Sequence, residues 1–320
     1  MKSVILANGE GGVGMRSAID VLLRGRAALD AAEAGVRVVE TDPSVRSVGV
    51  GGAPNILGEM ECDASIMCGA TLHTGAVGAL KKYLHAIAVA RGVMERTPHV
   101  MLVGEGALRF AAEMEAERGN LLTDEARADY EEWLSTHIPA DVRARWESAS
   151  LAPLVSQPVR HTRHGGAGKA GDAPQHGTVT YLVLAADGTM VGGVSTSGWA
   201  YKYPGRLSDS CIIGAGLYVD DRYGGAACTH TGEMIIRAGL ARAVVAYMKK
   251  GATVSEACHE AFDDLRSLKG GTLGPVILHA LDRNAEPYVL TTGNDGGIPY
   301  WFWTEGMTQA ECRKPIIELL

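Results

Sequence analysis

The chain has 320 residues, 46% of them hydrophobic, and a formal net charge of −7. The length allows one large core or two smaller ones, and the acidity argues against a nucleic-acid-binding surface. Six cysteines (62, 68, 211, 228, 258 and 312) lie far apart without CxxC spacing, which reads as small buried thiols in a reducing compartment and not as a metal site.

The opening MKSVILANGEGG has an apolar run too short for a signal-peptide core, and no window approaches a membrane span, so the chain as given is expected to be cytoplasmic. Ser3 to Ala7 predicts an interior strand ending at Asn8-Gly9. The next stretch, GEGGVG, fits G-x-G-x-x-G with Gly9, Gly11 and Gly14. A helical pattern follows, with Ile19, Leu22, Leu23 and Leu29 on one side and Gly35 as its stop. Val36 to Val39 then reads as a strand ending in Glu40. This is the outline of a dinucleotide site. Against it, Glu40 lies 26 residues past Gly14, and no further βαβ repeat follows. The plainer reading is a Gly-rich turn into a helix at the border of an active-site pocket.

Ser47 to Gly58 is predicted as loop, and Met67 to Leu72 as a short buried segment. Thr74 then caps a helix carrying Val77, Leu80, Leu84 and Ile87, stopped by Gly92. Val100 to Val103 is another strand. Asp124 to Trp146 is charged and helical, broken near Pro139, with Trp133 and Trp146 as docking anchors. From Glu147 to Gln175 the composition predicts disorder or partial order, and Arg160 to Gln175 (RHTRHGGAGKAGDAPQ) is a Gly-rich tether.

The tether leads into the most informative stretch, His176 to Gly232. Thr178 to Ala185 reads as a strand, Asp187-Gly188 as a tight turn and Met190 to Ser195 as its hairpin partner. Ile212 to Gly216 and Ala226 to Thr229 are further buried segments. Glu233 to Lys250 is predicted as one long helix ended by Gly251. Thr253 with Glu256 forms a capping-box pattern for a helix running to Leu268. Val276 to Leu281 and Tyr288 to Thr292 close the chain as a strand pair. Strands in the middle with helices before and after suggest two layers of sheet covered by helices.

A tether running straight into a Thr at the head of a strand suggests a chain built to be cut between Gly177 and Thr178. A new N-terminal Thr would hold a hydroxyl nucleophile and an α-amine base on one residue. The amine, with a reference pKa near 8, is a suitable base for the hydroxyl beside it. Thr196 lies 18 residues on, across the turn, so the hairpin can set its hydroxyl beside Thr178. Arg206 and Asp209 sit three apart in PGRLSD, where a guanidinium fork can bind a carboxylate and a carboxylate can bind an ammonium.

Gly-Thr, STSG, PGRLSD and GAG in this order and spacing, together with residues 47–80 and 97–111, resemble the glycosylasparaginase (aspartylglucosaminidase) branch of the N-terminal nucleophile hydrolases. The isoaspartyl peptidase/L-asparaginase branch is a near relative. The resemblance implies an α/β fold, a four-layer αββα sandwich. It further implies an α-subunit part over 1–177, with a flexible linker at about 147–175, and a β-subunit part over 178–320. Thr178 would be the nucleophile, with Thr196 hydrogen-bonding and activating it. Arg206 and Asp209 would bind the α-groups of an asparagine derivative. Thr229 and the backbone N–H of His230 would form the oxyanion hole, and Gly232 would let the backbone approach the ligand. A small-molecule substrate, a homodimer of cleaved αβ units, no cofactor and no metal are expected.

Two departures stand out. The glycosylasparaginase branch usually has His-Asp before the nucleophile, and here it is His176-Gly177, with Gly usual in the peptidase branch. Relatives mostly have Gly where this chain has His230. Features bearing on the substrate divide in the same way. GGAPNILGE with Pro54 and WAYKYPGR favour the glycosylasparaginase branch; Gly177 and the TGE of 231–233 lean toward the peptidase. Trp199, Tyr201 and Tyr203 offer aromatic faces near the pocket, whereas Asn8 to Gly14 has none where relatives usually carry a Trp. The expected reaction is hydrolysis of N4-(β-N-acetylglucosaminyl)-L-asparagine through a β-aspartyl ester. The alternatives are a β-aspartyl dipeptidase/asparaginase, an uncleaved binding protein of the same fold, and an oxidoreductase resting on GEGGVG alone.

Overall fold

The structure, a computed structural model, describes residues 1–155, 177–293 and 298–319. Strand β1 (Val4–Ala7) has all four residues buried because its two faces serve different cores. Ile5 and Ala7 pack toward helices, while Val4 and Leu6 pack toward the second sheet. A strand covered on both sides must read as a continuous apolar run, as this one does. It lies between β5 (Val179–Leu184) and β11 (Tyr300–Thr304), antiparallel to both.

The larger sheet has eight strands in the order β12-β11-β1-β5-β6-β2-β3-β4. Its other members are β2 (Cys62–Cys68), β3 (Thr74–Leu80), β4 (Met101–Val103), β6 (Met190–Thr196) and β12 (Glu311–Arg313). The second sheet has five strands, ordered β13-β10-β9-β8-β7. These are β7 (Leu217–Asp220), β8 (Gly224–His230), β9 (Val276–Asp282), β10 (Pro287–Thr291) and β13 (Ile316–Ile317).

Three cores follow from the alternation along the strands. On one face of the larger sheet, Tyr181 and Val183 meet the apolar sides of α1 (Met15–Leu23), α2 (Ala28–Thr41) and α3 (Ala86–Arg96). Between the sheets, Leu182, Leu184 and Val194 meet Leu217, Ala227 and Leu281. On the far side of the second sheet, Ala226 and Cys228 meet α8 (Gly232–Ala238), α9 (Leu240–Lys249) and α10 (Val254–Arg266). The remaining helices, α4 (Gly104–Glu113), α5 (Asp124–His137), α6 (Ala140–Arg143) and α7 (Ala152–Val155), lie in the first half of the chain. No helix among the described residues is long and apolar enough to cross a membrane.

Several expectations need correction. Val36 to Val39 is helical, inside α2, and Gly35 does not stop a helix. Gly35 is there for packing: a β-carbon on it would lie 2.6 Å from the Tyr181 ring. The Gly9–Gly14 stretch is a 3-10 turn whose Gly11 carbonyl accepts the Tyr181 hydroxyl. Gly11, Gly14 and Gly35 make room for the Tyr181 ring, and with residues 36–39 helical the dinucleotide outline has no βαβ unit beneath it. Glu40 is buried and caps backbone and side chain instead, accepting from Ile87 N–H at 3.0 Å and Ser195 Oγ at 2.6 Å.

Thr74 to Leu80 is a strand and not the start of a helix; the helix begins at Ala86 and runs through Gly92. The predicted buried segment 67–72 is the end of β2 followed by a turn, and Leu72 is exposed. The predicted helix 233–250 is two helices, broken at Gly239 in a left-handed conformation (φ 59°). The strand pair at 276–292 is followed by three further strands. Buried thiols hold for Cys62, Cys211, Cys228 and Cys258, while Cys312 is exposed. Residues 147–155 of the expected linker include α7, and its remainder, with the tether, lies outside the described residues.

Candidate active site

The hairpin β5–β6 sets the centre of the site. Its register pairs Val179 with Ser195, so one step back Thr178 stands opposite Thr196. Both threonines are buried. Thr196 Oγ1 donates to the Gly177 carbonyl oxygen at 2.6 Å and accepts from Gly198 N–H at 2.9 Å. The hydroxyl therefore polarises the carbonyl of the peptide bond between Gly177 and Thr178. From the other side, the Asn8 side chain spans the head of β5. Its Nδ2 donates to the Thr178 carbonyl and its Oδ1 accepts from Thr180 N–H at 3.0 Å.

The loop after β6 carries Arg206 and Asp209 and is pinned by buried acids. Asp63 on β2 accepts from Ala79 N–H at 2.9 Å and Ser208 N–H at 2.8 Å. Glu61 accepts from Gly205 N–H at 3.1 Å, and Lys202 Nζ donates to the Glu61 carbonyl at 3.2 Å. Asp209 is 2% exposed, and its Oδ2 has no hydrogen-bond partner among the described residues. Burial pushes its carboxyl from 3.8 up to about 7, against the opposing pull of Arg206.

Arg206 is held by a residue that the sequence did not single out. Glu233, at the start of α8, accepts from Nε at 3.0 Å and from Nη2 at 2.8 Å. The guanidinium also lies over the Trp199 ring, 4.7 Å from its centroid. Its Nη1 is buried without a partner among the described residues. Gly232 sits against both groups: a β-carbon there would lie 2.6 Å from Asp209 Oδ1 and 3.2 Å from Arg206 Nη2.

Thr229 and His230 end β8 in the second sheet, so the site forms where the two sheets meet. Thr229 Oγ1 and His230 Nδ1 are 2.9 Å apart. His230 has φ 86°, in the region that favours glycine, and holding an imidazole there costs about 1–3 kcal/mol. Glycine would occupy this position without strain.

One small pocket collects Gly177, Thr178, Thr196, Arg206, Asp209 and His230, together with Gly198, Trp199 and Ser208; its free volume is about 10 Å³. That is room for about one water. Thr229 is adjacent to His230, and Gly232 touches the Arg206–Asp209 pair, so every predicted site residue belongs to this region. Of the three aromatics, Trp199 alone lines the pocket. Tyr201 stacks on Trp133 of α5 with centroids 4.1 Å apart, and Tyr203 is exposed. Trp133 is thus the docking anchor its sequence context predicts. Among the described residues no group of three or more His, Cys, Asp or Glu could hold a metal ion.

Sequence reading did not name Asn8, Asp63, Glu233 or Ser47, whose side chain fills the space a β-carbon on Gly177 would take, as partners of the site. Two signals were present: the TGE that Glu233 shares with Gly232, and the Gly-rich turn after Asn8, which the sequence placed at the border of an active-site pocket.

The sequence matches the asparaginase family over residues 14–287. It is 41% identical over 243 residues to an N(4)-(β-N-acetylglucosaminyl)-L-asparaginase of Elizabethkingia miricola, covering 76% of this chain and 63% of the relative. It is 35% identical over 261 residues to the enzyme of the same name from Rattus norvegicus, covering 80% and 75%. An isoaspartyl peptidase/L-asparaginase of Rattus norvegicus is 35% identical over 263 residues, covering 81% and 70%. The chain therefore spans somewhat less than two thirds of the bacterial relative.

Proposed function

The chain belongs to the asparaginase family, and on that premise we propose that it is a self-processing amidohydrolase acting on the side-chain amide of an asparagine derivative. Cleavage between Gly177 and Thr178 gives pieces 1–177 and 178–320, which remain one domain. The three cores are read as the interfaces of a four-layer αββα sandwich of the N-terminal nucleophile hydrolase type. Two cleaved αβ units associate as a homodimer.

The observation that carries this reading is the pair of buried groups in the Thr178 pocket, Arg206 Nη1 and Asp209 Oδ2, that have no hydrogen-bond partner among the described residues. Leaving such groups unpaired costs about 1–3 kcal/mol each, more when charged. A free amino acid satisfies both, its α-carboxylate on the guanidinium and its α-ammonium on the carboxylate. Thr178 Oγ then attacks the side-chain carbonyl with its own α-amine as base. Thr196 Oγ1, released from the Gly177 carbonyl, hydrogen-bonds the nucleophile. Thr229 Oγ1 and the His230 N–H stabilise the oxyanion, a kind of donor worth on the order of 10²–10³ in rate. The β-aspartyl ester on Thr178 is hydrolysed to aspartate. The pocket of the uncut chain has no space for an amino acid, and Gly177 is one of its walls. Freeing the Gly177 end opens it.

The preferred substrate is N4-(β-N-acetylglucosaminyl)-L-asparagine, in keeping with the names of the relatives at 41% and 35% identity and with an aromatic face, Trp199, beside Arg206. A second reading, hydrolysis of β-aspartyl dipeptides or asparagine, draws support from Gly177 and from the relative of that name. The deciding experiment is kcat/KM on the glycoasparagine, β-aspartyl dipeptides and asparagine side by side. The glycoasparagine is expected to lead. A tenfold lead for dipeptides, equal to about 1.4 kcal/mol of transition-state preference, transfers the assignment to the second reading. A chain that stays whole on a denaturing gel and turns over none of them points to the uncleaved binding protein.

A further inference from the structure

A carboxyl stands beside the peptide bond between Gly177 and Thr178. Glu10 lies in the Gly9–Gly14 turn, partly buried, and accepts from Asn8 Nδ2 at 2.6 Å. The same nitrogen donates to the Thr178 carbonyl, so one amide links the Glu10 carboxylate to the residue whose hydroxyl must react. On the other side of the bond, a β-carbon on Gly177 would lie 3.1 Å from Glu10 Oε1 and would overlap the Ser47 side chain. The volume beside Gly177 is thus already filled, in part by a carboxylate brought from 167 residues away in sequence.

We propose that Glu10 is the general base and acid of the cleavage between Gly177 and Thr178, an inference that rests on the self-cleavage reading above. Before cutting, Thr178 has no free amine, so its hydroxyl needs another group to take its proton. Ionised Glu10 takes that proton as Thr178 Oγ bonds to the Gly177 carbonyl carbon. The carbonyl oxygen becomes an oxyanion facing the Thr196 hydroxyl that already donates to it at 2.6 Å. When the oxyanion collapses, the bond from the Gly177 carbon to the Thr178 nitrogen breaks, and the proton on Glu10 passes to that nitrogen. The result is an ester between Gly177 and Thr178 Oγ with a free α-amine and Glu10 again ionised. Water hydrolyses the ester to the Gly177 carboxylate and restores the Thr178 hydroxyl.

Burial supports the role, since it pushes the Glu10 carboxyl from 4.5 up to about 7. A group poised there holds and releases a proton with comparable ease at neutral pH.

The test follows full-length chain made by cell-free translation with labelled methionine, sampled on denaturing gels. Wild type, Glu10→Gln and Glu10→Asp are compared, with thermal unfolding of each purified protein as a check of the fold. Glu10→Gln keeps the shape and the Asn8 contact but cannot take a proton. Loss of general base catalysis predicts cleavage at least about 100-fold slower. Glu10→Asp keeps the carboxylate and should stay within about tenfold of wild type. Cleavage of Glu10→Gln within threefold of wild type overturns the role of Glu10 and leaves self-cleavage standing. So does an Asp variant as slow as the Gln variant. A wild-type chain that never splits overturns both.

Discussion

At Asp209 the chemistry of recognition and the cost of burial meet in one carboxyl. Its ordinary value of 3.8 rises to about 7 because the pocket withholds water, and Arg206 recovers only part of the shift. The sign of the consequence is fixed. The folded chain holds this proton more tightly than the unfolded chain. The contribution to stability is therefore complete below about 3.8 and is lost as pH rises through about 7. Binding runs the other way, because an α-ammonium needs the ionised carboxylate. KM for the amino-acid substrate is expected to rise as pH falls below about 7, and Asp209→Asn should have a high KM with that dependence removed. A wild-type KM that stays level from pH 8 to pH 5.5 contradicts the assignment. Glu233 bears on the same pocket: it engages two nitrogens of Arg206 and leaves the third, Nη1, without a partner among the described residues, as the proposed substrate contact requires.

Among the elements, the break between α8 and α9 shows how one residue redirects a chain. Gly239 has φ 59° and its N–H caps α8 through the Ile236 carbonyl. A β-carbon there would meet no neighbour within 4 Å, so the whole penalty of a substitution is conformational. Gly239→Ala is expected to cost about 1 kcal/mol, the left-handed penalty of about 1–2 kcal/mol less the entropy gained in the unfolded chain. Denaturant unfolding of the uncut Thr178→Ala background measures it. No loss of stability means that the helices can rejoin through this point.

Elements whose local and global preferences agree were legible in the sequence. The β5–β6 hairpin was one, with its Asp187-Gly188 turn. The α10 capping box was another: Thr253 accepts from Glu256 N–H, and the Glu256 carboxylate accepts from Thr253 N–H at 2.8 Å. Misread elements carry the opposite conflict. VRVVE has β-branched residues in a row, yet packing on the larger sheet holds it in α2. TGAVGAL puts small residues at helical spacing, but Gly75 and Gly78 are there because strand β3 lies against α3 and the Leu207 side chain. Within the site, residues contributing their own chemistry, such as Thr178, Arg206 and Asp209, could be named from motifs. Asn8, Glu10 and Ser47 could not. They meet the head of β5 only through folding, across roughly 130–170 positions of sequence.

On the scale of the whole molecule, the proposed nucleophile and its proposed oxyanion donors come from different sheets. Thr178 heads β5 in the eight-stranded sheet and Thr229 ends β8 in the five-stranded one. Their apposition depends on the core between the sheets, where Leu182 and Ala227 are packed. Residues 1–177 supply β1 to β4, and residues 178–320 supply β5 and β6 between them in the same sheet. Two pieces interleaved in this way share two of the three cores, the third lying wholly within 178–320, and they cannot separate without losing both, so the proposed cut is expected to leave the fold intact. What the proposed cut would change is local: a wall of the pocket would be freed and an amine would appear on Thr178. The most direct measurement is the intact mass of purified protein held at neutral pH. Two species are expected, of 177 and 143 residues, the second beginning at Thr178, with Thr178→Ala remaining whole. A wild-type chain that persists as one 320-residue species, or is cut elsewhere, contradicts it.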